Sequence, residues 1–488
     1  MKKVLSLLSI AIAMVCVFTI TKAFTEDYSS SDATSSTTSG TSSSTTSATA
    51  SNNVAVLASN DLGMHCVCPS FDYFTVLPPF NTLRAQVFVK GTGDPQISTS
   101  YRVTYSVLEN TDAILKADPY YQNWLKNAPK LFPGFNPIRA DGRIQGLTGA
   151  TLSGDMTPNT SGFYEAKGVP IYPVVTNTSK DIMIDPLGGP KRDPYLTWVV
   201  KVLDSNGKVV ASTQNTAPSA FGGCCSCHLK LAQSYGYANP TSYDSFKVMG
   251  MLHGRNSSGI DLSYLDTDGD GVPGPIRCSY CHVDPAMGES KAPGMPAGYK
   301  ILPGANFTYS QVKTSKYTFS DVLHRFHAQD SLVLSSYDPN IAKNCYDCHP
   351  GNGVNCYRDT HTTKTINGHA IWCTDCHGDL NQRISSGQLQ NPWNIATLPK
   401  CSTCHGNYGE SSTYTFTNVF GAFLGSQTKM GLCSSCHGSP HGLNPSTLAN
   451  DNVQNISLQN DSRAIGKCSV CHTNEGNTWK VPPHLLAP

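Results

Sequence analysis

Net charge is the first thing this chain lacks. Its 35 lysines and arginines face 34 aspartates and glutamates, a formal charge of +1. That balance excludes a basic nucleic-acid binder, which needs a surplus of cations on one face. Long apolar runs are scarce as well. Past residue 23 no stretch is long and apolar enough to cross a bilayer. Residues 1–23 hold a shorter run. Lys2 and Lys3 give a charged start, Leu5 to Ile20 an apolar core, and Thr-Lys-Ala at 21–23 a cleavage site. This is the pattern of a secretory signal peptide. An uncleaved anchor, or a lipoprotein built on Cys16, are the competing readings, and Ala-Met-Val before Cys16 fits a lipidation box poorly. The chain is therefore expected to be exported, extracellular or at the cell surface first and periplasmic second. No transmembrane span is expected after signal removal.

Residues 24–51 form a Ser/Thr-rich linker. Positions 29–51 alone carry 18 serines and threonines, which cannot bury a core. Residues 52–222 read as an all-β, sandwich-like module. Val54 to Ala58 is a short apolar run, while Arg84 to Lys90 and Tyr101 to Val107 alternate with period two. Tyr195 to Asp204 and Lys208 to Thr213 flank Asn206-Gly207, a hairpin signal. Asp118 to Asn127 is expected to be a helix.

Cysteine is abundant, and its spacing is informative. Seven copies of Cys-x-x-Cys-His occur. Their thiols are Cys224 and Cys227, Cys278 and Cys281, Cys345 and Cys348, Cys373 and Cys376, Cys401 and Cys404, Cys433 and Cys436, Cys468 and Cys471. Their histidines are His228, His282, His349, His377, His405, His437 and His472. One copy would suit a zinc half-site or a redox dithiol. Seven, each ending in His, point to seven covalently attached c-type haems, with two thioethers per porphyrin and the histidine as axial iron ligand. The last five motifs start 28, 28, 32 and 35 residues apart, a loose repeat. Residues 223–488 are thus expected to be a haem-packed, loop-rich domain with short helices and little regular structure.

Eight histidines remain for the distal side of the irons: His65, His253, His324, His327, His361, His369, His441 and His484. His324 and His327 would share one face of a helix and serve two neighbouring haems. His369 precedes Cys373 by four residues, and His441 follows His437 by four. His65 and His484 are candidates for ligation across a domain or subunit boundary. Asp266, Asp268 and Asp270 with Gly271 copy the first half of a calcium loop. The twelfth position is Arg277 instead of glutamate, and a solvated Asp-Gly turn is the alternative to bound Ca2+. Four further cysteines, Cys66, Cys68, Cys225 and Cys356, allow two disulfides in three pairings or four free thiols. A Cys66–Cys68 bridge would close a very small ring, which favours a link from the β module to Cys225 or Cys356.

The stretch Asn60-Asp-Leu-Gly-Met-His-Cys66, with Leu77 to Thr82 after it, resembles the N-terminal part of certain multihaem cytochromes of metal-reducing bacteria. The seven motifs as a set resemble the multihaem c-type cytochromes of extracellular respiration. The resemblance implies an electron carrier with mostly bis-histidine haems and no catalytic residues. Its partners would be other redox proteins, minerals or other extracellular electron acceptors. Some relatives are homopolymers with intersubunit haem stacking, which adds a filament to the expectations. A multihaem oxidoreductase acting on nitrite, hydroxylamine or sulfur oxyanions through one open haem is the alternative. A third reading makes the β module a surface-docking domain.

Overall fold

Alternation of small and β-branched side chains builds the N-terminal half. The computed structural model describes residues 53–91, 95–255, 259–330, 343–351, 353–392, 399, 401–405 and 433–473. The expected signal peptide, the linker at 24–51 and His484 lie outside them. Strands β1 (Val54–Asn60), β2 (His65–Val67), β3 (Phe74–Thr75), β4 (Asn81–Val89), β5 (Gln96–Ser98) and β6 (Arg102–Val107) come first. They are followed by β7 (Ser153–Asp155), β8 (Thr157–Pro158), β9 (Tyr164–Val169), β10 (Tyr195–Leu203) and β11 (Val209–Phe221). One sheet has the order β1-β4-β9-β8, with β5 also on β4, and the other β2-β11-β10-β6-β7. β1 pairs antiparallel with β4 from Val54↔Val89 to Asn60↔Leu83.

Period two sorts the side chains of β1 to two destinations. Val54, Val56 and Ala58 join Leu83, Val87, Tyr105, Trp198 and Val200 in a core shared by both sheets. Each large side chain buried there contributes roughly 1.5–3 kcal/mol. Ala55 and Leu57 point the other way and pack with Phe88 against Val470, far along the chain. β1 is thus buried on both faces. The helix expected at 118–127 runs from Pro119 to Leu131. Asp118 caps it by accepting from the N–H groups of Tyr120 and Tyr121, and Pro119 opens it. Tyr121, Trp124, Ala128 and Leu131 form its buried stripe.

The hairpin turns at Gly207, whose φ of +78° suits glycine. Its second strand does not stop near Thr213. β11 continues to Phe221, with Asn215, Thr216 and Ser219 buried and the side chains of Asn215 and Ser219 hydrogen-bonded. Asn215 Nδ2 donates to the Ala58 carbonyl, and Asn60 Nδ2 to the Thr216 carbonyl at 3.1 Å. After Phe221 the described helices run to twelve residues at most. Among the described residues, no helix is long and apolar enough to cross a membrane.

The two halves interlock. β3 pairs in parallel with Ile276–Arg277, and Gly91 forms a bridge with His472. Arg358 is buried and makes a two-pronged ion pair with Asp451 at 2.7 and 3.1 Å. Its Nη1 donates to the carbonyls of Gly63 and Cys356 at 2.9 and 3.0 Å. The guanidinium also lies over the Tyr195 ring, 4.9 Å from its centre. Removing one partner would strand the other charge in the interior. Arg358→Leu is expected to cost about 3–5 kcal/mol in denaturant unfolding, and the double variant Arg358→Leu/Asp451→Leu is expected to recover part of that loss.

Candidate functional site

The Cys-x-x-Cys-His motifs close into single helical turns. The histidine N–H donates to the first cysteine's carbonyl in His282–Cys278, His349–Cys345, His405–Cys401 and His472–Cys468, at 3.1, 2.8, 2.9 and 2.8 Å. Helices Cys224–Ser234, Cys373–His377 and Cys433–His437 hold the other three motifs. Residues three and four apart share a helix face, so both thiols and the imidazole of a motif line one side of the turn.

The β-rich half positions most of these turns. β11 runs directly into Gly222-Gly223-Cys224, and the Gly223 N–H donates to the Cys348 carbonyl at 2.9 Å. The first and third motifs therefore touch. The strand pair with β3 delivers Cys278. The sixth motif sits on the outer face of β1 and β4, where Ser434 Oγ lies 3.1 Å from Ser59 Oγ and Ser435 Oγ donates to Gln86 Oε1 at 2.7 Å. Lys90 Nζ donates to the Ser469 carbonyl at 3.0 Å in the seventh. Cys345 and Cys373 lie close enough for each thiol to shift the other's acidity, and Cys436 and Cys471 pack in one apolar cluster.

Five motif histidines each face a histidine from outside the motifs. The ring centres are 6.4 Å apart for His228–His327 and His282–His253, and 6.3 Å for His349–His324. They are 5.8 Å apart for His405–His361 and 6.0 Å for His377–His441. Two imidazoles holding one metal ion from opposite sides stand about 6.4 Å apart, given a metal–nitrogen bond of about 2.0 Å and about 1.2 Å from nitrogen to ring centre. The spacing of the pairs fits an ion between them.

Six of these rings are held by a hydrogen bond at Nδ1. Nδ1 of His253, His324, His327 and His441 bonds the carbonyls of Ile260, Ser320, Leu323 and Leu62 at 3.1, 2.8, 2.8 and 2.9 Å. Nδ1 of His282 bonds the Tyr317 carbonyl at 3.2 Å, and that of His361 bonds Asp359 Oδ1 at 3.1 Å. An imidazole tied at Nδ1 presents Nε2 as its lone-pair donor, the usual outer-shell arrangement for a metal-binding histidine. Burial, and then the neighbouring imidazoles, push His228, His349 and His377 down to about 4. They are neutral near pH 7, the form that can bind a metal.

Other expected site residues are placed differently. His65 is buried on β2 and its Nε2 bonds Asp61 at 3.0 Å, while His369, 43% exposed, bonds Asp375 at 3.0 Å. His253, His324, His327, His361 and His441 are the ones brought to motif histidines. Asp266, Asp268 and Asp270 have carboxylate oxygens within 4.8 Å of one another. Asp266 accepts from the N–H groups of Asp268, Gly269 and Gly271, and Lys130 Nζ bonds Asp268.

Sequence reasoning missed the supports of these histidines. Asp359 lies two residues before His361, an Asx-turn spacing that local sequence does carry. Leu62 and Gly63, which seat His441, carry no such signal. Gly63 has φ +70°, and a Cβ there would lie 1.4 Å from the Pro440 carbonyl oxygen. Gly63→Ala is expected to push residues 440–441 away and to cost about 2–3 kcal/mol in denaturant unfolding. The His377–His441 ring contact should be lost in a crystal structure of the variant. No family model matches the chain, and no curated protein or solved structure matches it.

Proposed function

We propose that the chain is an exported electron carrier holding seven c-type haems, one per Cys-x-x-Cys-His, with most irons bound by two histidines. The observation that supports this most is the set of five opposed imidazole pairs at 5.8–6.4 Å, each made of one motif and one non-motif histidine. When bound, haem iron alternates between ferric and ferrous and so takes up and returns single electrons.

The chain's own residues do the rest. The two thiols of each motif would hold the macrocycle edge, and the motif histidine would sit beneath the iron. His327, His253, His324, His441 and His361 would complete coordination for the first five motifs in chain order. A haem held by two of these side chains would leave no place for substrate at its iron, which favours a carrier over a multihaem reductase. The contacts between the first and third motifs, between Cys345 and Cys373, and between Cys436 and Cys471 support centres close enough to pass electrons onward. In this reading the sandwich-like β module is the platform and residues 223–488 are its haem-packed cover. Its partners would be other redox proteins, an extracellular acceptor such as a mineral, and further copies of the chain in a filament.

Intact mass of the exported protein tests the proposal. Seven added haems are expected, and attachment of fewer at intact motifs would overturn it. His441→Ala should leave the haem count unchanged and open one centre, so that the reduced variant binds about one more equivalent of carbon monoxide than the parent. No gain in carbon monoxide binding would remove His441 as a ligand.

A further inference from the structure

Fourteen of the eighteen described cysteines belong to the motifs, and Cys66, Cys68, Cys225 and Cys356 are the remainder. They gather at one place. Cys66 lies in β2 and Cys68 directly after it. Residues two apart on an extended strand point to the same face, roughly 6.6 Å from each other. Each therefore reaches a different neighbour on the surface packed against that face. The surface is formed where the first and third motifs meet, at the Gly223–Cys348 hydrogen bond. Cys225 is in the first turn of helix Cys224–Ser234, and Cys356 is in the loop after the third motif.

We propose that Cys68 is joined to Cys225 and Cys66 to Cys356, two disulfides that staple β2 to the first and third motifs. Cys68 and Cys225 line the wall of one cavity, with Phe71, Leu187 and Leu229. Cys356 is held towards the start of β2 by Arg358, whose Nη1 bonds both the Cys356 and the Gly63 carbonyls. Cys356 Sγ lies 3.9 Å from His441 Nδ1, the ring nitrogen that bonds the Leu62 carbonyl. Burial raises the Cys66 thiol most, and Cys356 is the next contributor. Cys225 is likewise raised by burial, with Cys68 its nearest influence outside its own motif.

The chemistry is thiol–disulfide exchange with an oxidised dithiol protein as oxidant. One thiolate attacks the oxidant's disulfide, giving a mixed disulfide. The partner thiolate then displaces the oxidant. Two electrons and two protons leave each cysteine pair, and the oxidant departs as a dithiol. The Cys68–Cys225 bond also has a consequence that rests on the haem reading. Cys224-Cys225-Ser226-Cys227-His228 contains three thiols, and occupying Cys225 leaves only the two with the right spacing.

The full exported protein, denatured without reductant in N-ethylmaleimide and digested, provides the test by mass spectrometry. Because only Val67 separates Cys66 from Cys68, the links are expected as one three-peptide species. Two single variants assign the pairing: Cys225→Ser should free Cys68 alone for alkylation, and Cys356→Ser should free Cys66 alone. Freeing of Cys66 by Cys225→Ser would overturn the proposal, as would a Cys66–Cys68 ring or alkylation of all four thiols. Haem mass on the peptide carrying Cys224 and Cys227 is read in the same experiment. Its absence with the cross-links intact would remove the haem reading and leave the disulfides standing.

Discussion

Arg358 sets the geometry of the centre of this molecule. A buried guanidinium must be paired and its N–H groups bonded, or the interior does not form. Arg358 meets that requirement with Asp451, with the carbonyls of Gly63 and Cys356, and with the face of Tyr195. Those residues come from four distant parts of the chain. Satisfying one cation therefore brings the β1–β2 loop, the loop after the third motif and the segment after the sixth motif to a single point. His441 takes its position from that convergence, because Leu62 and Gly63 beside it are what seat its ring.

The interface between the two halves carries buried hydrogen bonds beside its apolar contacts. Ala58 N–H donates to Gln454 Oε1 at 2.6 Å, Asn60 N–H to Ser439 Oγ at 2.9 Å, and Ser435 Oγ to Gln86 Oε1 at 2.7 Å. Buried hydrogen bonds add modest net stability each but penalise a misplaced partner by the full cost of desolvation. Such a surface selects one register strongly. It suits short segments that have little apolar surface of their own.

This polarity also explains what the sequence concealed. The strands at Asn81–Val89 and Arg102–Val107 were legible because their alternation is local, and the strand at Val54–Asn60 because it is a short apolar run. The second half of β11 was not, since buried Asn215, Thr216 and Ser219 read as surface residues, and Pro218 discourages a strand assignment. The parallel pairs β2–β11 and β3 with Ile276–Arg277 depend on contacts far apart in sequence. At the site, spacing alone identified the motif thiols and histidines, and it put His324 and His327 on one helical face. Which non-motif histidine meets which motif is a long-range property, and so is the burial that keeps the rings of His228, His349 and His377 neutral.

His324 and His327 stand on one short helical segment and face the third and first motifs respectively. The segment changes from α-helix to π-helix at Phe326, so less than one turn of continuous main chain separates the two rings. That separation is set by peptide geometry, which resists stretching far more than any packed side chain does. The segment is therefore a ruler laid between two motif histidines, His228 and His349. Fluctuations can rock both contacts together, but sliding one past the other would require breaking main-chain hydrogen bonds.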